Sequence, residues 1–268
     1  MQIKVHYLNK FSILVGVSTY FRELLRTKGF DQLDFSELKL SLAGGMPVHL
    51  SVVRDWSQIT GTPIIECYGM TEASPAVTIN PLHLLKYNGT VGLPVPSTEV
   101  SIRDLSGNEL GAEAPGELWV RGPQVMLGYW RQPEATKQVL DREGWFRTGD
   151  VAVVSAEGYV TVIDRIRDIV NVSGFVVYPS EVESLLKTHE SVKDAAVVAV
   201  PDDRSGEAVK IFVVSKDPKN QDEEAILAFC KSKLSGYKCP KNIEFVERIP
   251  RLKSGRLLRR ELRKATYF

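Results

Sequence analysis

The strongest constraint on the fold is an alternation of short apolar runs and amphipathic segments in the N-terminal quarter of the chain. The runs occupy residues 11–17, 38–43 and 63–68, and the last two end at glycine. Strand, helix, strand, helix, strand at this spacing predicts a parallel sheet covered by helices. Ligands bind such sheets at the carboxyl ends of the strands, so Gly44 and Gly69 mark the expected site.

The segments between these runs have the pattern of helices. Ser18 is placed to cap a helix over residues 19–27, and Gly61 is placed to end a second helix. The second helix carries an apolar stripe that recurs every three residues, which predicts that Trp56 lies in the core. The stripe consists of Leu50, Val53, Trp56 and Ile59.

Further along the chain the pattern changes twice. From about residue 92, short alternating runs separated by turn residues predict an antiparallel sheet or a small barrel. After Asp164 the pattern predicts a small α+β domain, with one helix beginning at Pro179 and a last one over residues 256–264. Three tryptophans are expected to pack against the antiparallel sheet: Trp119, Trp130 and Trp145.

The predicted fold class is therefore α/β, with a partial parallel α/β lobe, a small β-barrel and a C-terminal α+β domain. The predicted boundaries are 1–90 for the partial lobe, 91–164 for the barrel and 165–268 for the C-terminal domain.

Charge and cysteine content exclude several classes of function. Lys and Arg number 34 against 33 Asp and Glu, so no overall positive charge attracts nucleic acid. Three scattered cysteines predict reduced thiols rather than a disulfide framework. No apolar run is long enough to span a membrane, and residues 1–5 lack the apolar core of a signal peptide. We therefore expect a cytoplasmic protein.

The most informative motif is Tyr68-Gly69-Met70-Thr71-Glu72, at the end of the third apolar run. Its aromatic ring can stack on a flat base, and its glycine lets backbone approach a ligand. A hydroxyl and a carboxylate one residue apart suit a phosphate oxygen and its magnesium ion. The alternative is a strand that ends in a turn before a helix, and so short a motif does not separate the two.

Four weaker segments allow two interpretations each. Gly44–Pro47 either forms a tight turn before a helix or lines a ligand with backbone groups. Thr148–Asp150 is either a simple turn or presents a carboxylate to two ribose hydroxyls. Asp164–Asp168 is a solvated linker or a hinge with a ligand-binding arginine. Lys253–Arg256 opens a solvated basic segment or a loop that delivers one cation to a phosphate.

These motifs occur in the order and approximate spacing of one family. From about Val15 onward the chain resembles the adenylate-forming superfamily of acyl-CoA synthetases, luciferases and peptide-synthetase adenylation domains. Residues 92–98, 122–130 and 236–240 are most similar to bacterial long-chain fatty acid–CoA ligases. Members join a carboxylate to the α-phosphate of ATP, release pyrophosphate, and then pass the acyl group to a thiol such as CoA.

The resemblance implies how the nucleotide would be held. Gly44–Pro47 and Tyr68–Gly69 would enclose the adenine, and Val162 would pack beneath it. Asp150 and Arg165 would bind ribose hydroxyls. The residues implied to bind AMP or ATP are Gly44, Gly45, Met46, Pro47, Tyr68, Gly69, Met70, Thr71, Asp150, Val162 and Arg165.

The resemblance also implies catalytic roles and a moving part. Thr71 would touch phosphate, and Glu72 would hold magnesium. Residues from Arg165 onward would form a mobile lid hinged at Arg167. In the second half-reaction the lid would turn, and the pantetheine arm of CoA would pass Ser173, Gly174 and Phe175.

Two departures from the family bear on activity. The family's adenylation lysine follows the Ser-Gly of the C-terminal loop, where this chain has Arg256, and Lys253 is a weak candidate to replace it. A Ser/Thr/Gly-rich phosphate loop ending in Lys is expected upstream of these motifs and does not occur in the sequence. We therefore expect a fragment that does not complete adenylation by itself.

The expected function is thus part of a fatty acid–CoA ligase that uses ATP, magnesium and CoA, with a fatty acid as substrate. Two alternatives stay open: an adenylation enzyme that serves a carrier protein, and a non-catalytic protein that binds AMP or acyl-AMP. No nucleic-acid partner is expected. Peripheral membrane association of the parent enzyme is left open, and some self-association is expected through the apolar surface that the missing lobe would leave bare.

Overall fold

The computed structural model describes residues 11–84, 86–252 and 255–266, and it shows the mixed α/β fold with several sheets that the sequence predicts. The chain divides into two compact units, Met1–Val162 and Ile163–Phe268. The three-part division at residues 90 and 164 stays a prediction. None of the helices in the described part of the chain combines the length and apolar character needed to cross a membrane.

The first unit begins with the predicted parallel sheet. Strands β1 and β2 pair in parallel, as do β2 and β3, and a helix lies between each pair along the chain. Two short strands then extend the sheet, with β4 antiparallel to β3 and β5 antiparallel to β4. The elements are β1 (Ile13–Gly16), α1 (Ser18–Leu25), β2 (Leu40–Ala43), α2 (Leu50–Thr60), β3 (Ile64–Gly69), β4 (Ala76–Ile79) and β5 (Leu93–Pro94).

Helix α2 packs on this sheet through Trp56, which is fully buried as predicted. The indole of Trp56 meets the ring of Phe21 edge-on, with 4.8 Å between centroids, and its Nε1 donates a hydrogen bond to Ser41. Gly61 ends the helix with φ +73°, as predicted. The predicted capping role of Ser18 is wrong, because Ser18 is the first residue inside α1 and no side chain caps that helix.

The antiparallel sheet of the first unit has the strand order β6-β7-β8-β9. Its closure into a barrel stays a prediction. Trp119 and Trp145 are buried against it, as expected, whereas Trp130 is 83% exposed because it lies in the loop after β7. The elements are β6 (Glu99–Arg103), β7 (Gly116–Arg121), α3 (Pro133–Val139), β8 (Phe146–Val154) and β9 (Val160–Arg165).

The second unit combines one sheet with helices, and its role as a lid stays a prediction. A sheet of order β11-β10-β13-β12, with β14 parallel to β13, carries helices whose apolar faces bury its core. The last helix begins at Arg259, three residues later than expected. The elements are β10 (Val170–Val172), β11 (Phe175–Val177), α4 (Pro179–Leu186), β12 (Val192–Asp202), β13 (Gly206–Ser215), α5 (Glu223–Lys233), β14 (Asn242–Phe245) and α6 (Arg259–Thr266).

Candidate functional site

The hydroxyl of Tyr68 and the carboxylate of Asp150 meet directly, although 82 positions separate them in the sequence. Tyr68 Oη donates to Asp150 Oδ2 at 2.6 Å. Tyr68 lies near the carboxyl end of β3, and Asp150 is 4% exposed on β8. The first unit therefore places an aromatic ring and a buried carboxylate side by side.

Asp150 is placed by a bulge inside a strand and not by a simple turn, which was one of the two interpretations of Thr148–Asp150. Strand β8 runs without a break through these residues, and its pairing with β7 shifts register opposite Leu118. Thr148 Oγ1 donates to the Leu118 carbonyl at 2.7 Å, and Asp150 N donates to Thr148 Oγ1 at 3.0 Å. Gly149 has φ +70°, which this bulge requires.

The loop Gly44–Pro47 lies beside the end of β3. Ala43 pairs with Glu66, and a Cβ on Gly44 would approach the sulfur of Cys67 to 2.8 Å. Residues 44 and 67 are thus too close for any larger side chain at position 44 without a shift. The structure therefore brings the glycine loop and the start of the Tyr68 motif to one edge of the parallel sheet, where ligands are expected.

Glu66, which the motif analysis did not single out, supports this loop from within the sheet. Its Oε1 accepts a hydrogen bond from the backbone N–H of Val48 at 3.1 Å, and its side chain is buried. Burial raises the pKa of Glu66 to about 6. Burial and the nearby Glu66 charge raise the pKa of the Cys67 thiol. A carboxyl in the middle of an apolar run was the available signal for this residue.

Gly69 turns the chain after Tyr68. A Cβ at this position would overlap the carbonyl oxygen of Pro75, which accepts a hydrogen bond from Met70 N at 2.8 Å. Thr71 and Glu72 follow in a 3₁₀ turn, Thr71–Ala73, with Thr71 exposed. The motif therefore ends a strand in a turn, and its functional interpretation rests on its neighbours.

Tyr129 is a second residue that the motif analysis did not assign. Its hydroxyl donates to Glu72 Oε1 at 2.9 Å, and Met126 N donates to the Glu72 carbonyl at 2.8 Å. Burial and this hydrogen bond to Glu72 raise the pKa of Tyr129. The loop after β7 thus holds the carboxylate of Glu72 in place. The signal in the sequence was the Gly-Tyr-Trp at residues 128–130.

Val162 ends the first unit on β9, whereas Arg165 and Arg167 belong to the second unit. Arg165 is the last residue of β9, and Arg167 lies exposed in the 3₁₀ turn Ile166–Asp168. The carboxylate of Asp164 accepts hydrogen bonds from Arg165 N and from Ser180 N at 2.9 and 2.8 Å.

Ser173 and Gly174 form the two-residue turn of the hairpin between β10 and β11. Both have positive φ, +53° and +86°, as the tight turn requires. Phe175 is 57% exposed, and its ring stacks on Tyr237 with 4.9 Å between centroids. Tyr237 is therefore a contact of Phe175 that the motif analysis did not assign, and the signal for it was the Gly-Tyr-Lys of residues 236–238.

Arg256 lies three residues before the start of α6. Leu252 N donates to the Arg256 carbonyl at 2.9 Å, and Arg251 pairs with Leu257. The side chain of Arg256 is exposed. Lys253, considered as a substitute for Arg256, lies outside the described residues, as does Ser254.

Comparison with protein families and known proteins gives one consistent result. Residues 4–130 match the model of the "AMP-binding enzyme" family, and residues 181–256 match that of the "AMP-binding enzyme C-terminal domain". A protein from Yersinia pestis named long-chain-fatty-acid–CoA ligase is 50% identical over 94% of this chain and 45% of its own length. The chain spans about half the length of the curated relatives it matches.

Solved structures with a similar fold give a matching result. The ATP-bound structure of MatB from Rhodopseudomonas palustris matches with a TM-score of 0.85 and 33% identity, over 98% of this chain and 52% of that one. The apo structure of the same protein matches over the same shares with a TM-score of 0.70. The two MatB structures therefore differ from each other.

Proposed function

We propose, from the premise that this chain belongs to the AMP-binding enzyme family, that it carries the adenylate-binding part of an AMP-forming fatty acid–CoA ligase. The observation that carries the proposal is the 2.6 Å contact between Tyr68 Oη and Asp150 Oδ2 beside the glycine loop. The 50% identity to a protein named long-chain-fatty-acid–CoA ligase supports a long-chain fatty acid as the substrate. The scattered cysteines favour the cytoplasm as its compartment.

In this proposal the nucleotide lies at the carboxyl edge of the parallel sheet. The adenine stacks on Tyr68 and faces the backbone of Gly44–Pro47. The carboxylate of Asp150 accepts hydrogen bonds from ribose hydroxyls, which Arg165 also contacts. Val162 packs beneath the base. These assignments follow the chemistry of the ligand, since a flat base needs apolar contact and ribose hydroxyls need hydrogen-bond partners.

The chemistry proceeds in two displacements. A carboxylate oxygen of the fatty acid attacks the α-phosphorus, the bond to pyrophosphate breaks, and acyl-AMP forms. The CoA thiol then loses its proton and attacks the acyl carbonyl carbon, and AMP leaves with its bonding pair. The Thr71 hydroxyl and the Arg256 guanidinium stabilise the negative charge that develops on the phosphate. How these two groups are positioned determines the rate.

Glu72 fits a magnesium site that is completed by nucleotide phosphates. Magnesium is commonly bound by one or two carboxylates together with substrate phosphate, and Glu72 offers one carboxylate whose Oε1 is fixed by Tyr129. No group of three or more His, Cys, Asp or Glu side chains in the described ranges would hold a metal unaided. The ion, when bound, would neutralise charge on the leaving pyrophosphate.

The second unit serves the thiol step in this proposal. The residues after Arg165 act as a lid that turns between the half-reactions. The hairpin turn Ser173–Gly174 has no bulky side chain, and the exposed Phe175 ring offers an apolar face to the pantetheine arm of CoA.

Calorimetry with AMP tests the nucleotide site on the 268-residue chain. Wild type is expected to bind AMP, and Asp150→Ala is expected to bind at least about tenfold more weakly, since a hydrogen bond to a charged group contributes about 1.5–3 kcal/mol. Tyr68→Phe, which keeps the ring, should weaken binding less. Asp55→Ala, an exposed carboxylate on α2, is the matched control. Failure of wild type to bind AMP, or equal affinity of Asp150→Ala, would reject the site.

A second candidate function is favoured by Arg256. A planar guanidinium stands where the family has a compact ammonium, and such an exchange is not conservative at a charge-stabilising position. A protein that binds AMP or acyl-AMP without catalysis would keep Asp150 and Tyr68 but would not need a lysine there. Pyrophosphate release separates this candidate from the ligase.

A further inference from the structure

The first turn of the second unit is held by the last helix of the chain. Arg263 Nη2 on α6 donates to the backbone carbonyl of Arg167 at 3.0 Å and to Asp168 Oδ1 at 2.6 Å. The side chain of Asp168 is 10% exposed. One guanidinium thus binds both a main-chain oxygen and a buried carboxylate of the 3₁₀ turn Ile166–Asp168.

Arg259, one helical turn earlier on α6, contacts α4 and Asp168 from the same face of the helix as Arg263. Its Nη2 pairs with Glu183 Oε1 of α4 at 2.7 Å, and its Nη1 lies 3.8 Å from Asp168 Oδ2. Its Nε donates to the Val197 carbonyl at 3.2 Å. Residues four apart share a helix face, so Arg259 and Arg263 act together toward the turn.

A second set of hydrogen bonds holds the beginning of the same segment, at residues 163 and 164. Ser180 N donates to Asp164 Oδ2 at 2.8 Å, and Ser180 Oγ donates to the Ile163 carbonyl at 2.9 Å. Residues 163–168 directly follow the boundary between the two compact units. Arg165 lies between the contacts made by Ser180 and those made by Arg263, and the carbonyl of Arg167 is one of the groups that Arg263 contacts.

We propose that Arg263 is a positioning residue, which holds the connecting segment at Arg167 and Asp168 so that the C-terminal helix sets the placement of Arg165. Its effect on the nucleotide rests on the proposed function, in which Arg165 contacts ribose. Its effect on the segment rests on geometry alone. By this inference α6, which follows Arg256 along the chain, couples that part of the chain to the predicted hinge at Arg167.

The coupling has a physical basis in what each contact restrains. The hydrogen bond to the Arg167 carbonyl fixes the peptide plane after Arg167, and the ion pair fixes Asp168 on the same guanidinium. Charge-assisted contacts of this length are the strong ones, and a planar fork can hold two acceptors at once where an ammonium is less directional. Leu262 anchors the helix by burial beside Val198 and Phe212.

Hydrogen exchange measured by mass spectrometry on the 268-residue chain tests the proposal. Arg263→Ala is expected to raise the exchange rate of amides in residues 165–169 about tenfold, because the variant loses one charge-assisted hydrogen bond. Exchange in the central strands β12 and β13 should stay as in wild type. Arg260→Ala removes an exposed arginine from the same helix and should change neither.

Two further variants keep the test decisive if Arg263→Ala destabilises the whole unit. Arg263→Lys should give an intermediate rate, and Asp168→Asn should raise exchange in residues 165–169 while the Arg167 carbonyl still accepts. Wild-type rates in 165–169 for all three variants, or an equal rise in β12 and β13, would overturn the proposal. AMP calorimetry on wild type and the same variants separates the positioning role of Arg263 from the proposed function. If wild type does not bind AMP, the proposed function is rejected, while the hydrogen-exchange result still tests the role of Arg263.

Discussion

Glu66 carries a buried carboxyl directly behind the glycine loop, where it accepts a hydrogen bond from Val48. Burial raises its pKa from 4.5 to about 6. The folded chain therefore holds this proton more tightly than the unfolded chain, so stability falls as pH rises through that range. One pKa unit corresponds to about 1.4 kcal/mol, so we expect a loss of at most about 2 kcal/mol, reduced by solvent screening.

Glu66→Gln tests this expectation, since glutamine keeps the shape and can still accept from Val48. Urea unfolding at about pH 4.5 and about pH 7 should show a smaller drop in the free energy of unfolding for the variant than for wild type. Burial and, to a smaller extent, the Glu66 charge raise the pKa values of Cys67 and Tyr87, and both residues are present in wild type and variant. The same pH dependence in both would assign the effect to another group.

Arg103 lies between two indole rings on the antiparallel sheet. Its guanidinium carbon is 4.3 Å from the ring centroid of Trp119 and 4.8 Å from that of Trp145. We expect Arg103→Ala to lower the free energy of unfolding by about 1–2 kcal/mol, with a smaller loss for Arg103→Lys. Urea unfolding measures it, with Arg54→Ala on the exposed side of α2 as control. A loss no larger than that of Arg54→Ala would contradict a stabilising role for the two rings.

At the scale of elements, Gly69 governs how β3 turns into its hairpin with β4. A Cβ there would overlap the Pro75 carbonyl, so Gly69→Ala must displace β4 or the end of β3 that carries Tyr68. Such overpacking costs about 1–3 kcal/mol, and we expect weaker AMP binding as well. Gly111→Ala, with nothing within 4 Å of the added Cβ, is the matched control. Equal stability of the two variants in urea unfolding would contradict the close approach.

Elements set by local periodicity were predicted from sequence, and elements set by distant partners were not. The apolar stripe and Gly61 predicted α2, because both signals lie within the helix. The bulge at Thr148–Asp150 depends on the Leu118 carbonyl, which only the folded sheet brings near. Helix α4 has no local side-chain cap, and the carboxylate that meets its Ser180 N–H comes from Asp164 on β9.

The site shows the same division. The Tyr68 motif and Asp150 could be chosen from sequence because a known family places these residue types in this order. Tyr129 and Glu66 were not chosen, although the sequence marks both positions, because their roles are contacts with a carboxylate and a backbone N–H contributed by other segments. Residues that support a site are therefore harder to predict than residues that touch a ligand.

At the scale of the whole molecule, β1 is an edge strand with exposed apolar side chains. Ile13 is 55% and Val15 65% exposed, and β1 pairs only with β2 in the described sheet. Exposed apolar edge strands tend to pair with another copy, so we expect concentration-dependent self-association of the 268-residue chain. Light scattering should show it, and Val15→Lys should reduce it. A monomer at every concentration would refute the expectation.

Catalysis by the chain alone is a separate question from binding. The relatives named as ligases are about twice as long, since this chain spans 45% of the Yersinia pestis protein. Loss of one well-aimed donor to a developing anion lowers a rate by about 10²–10³, and in the proposed function Arg256 takes the place of a lysine with a differently shaped cation. We therefore expect the 268-residue chain to bind AMP but to release no measurable pyrophosphate from ATP and palmitate.

A coupled pyrophosphate assay measures this, with Arg256→Lys as the matched variant. If Arg256 alone limits adenylation, the lysine variant should gain turnover. If groups outside this chain are needed, neither should turn over, although both bind AMP equally. Robust turnover by the unmodified chain would show that Arg256 supports the first displacement, and it would exclude the non-catalytic candidate at the same time.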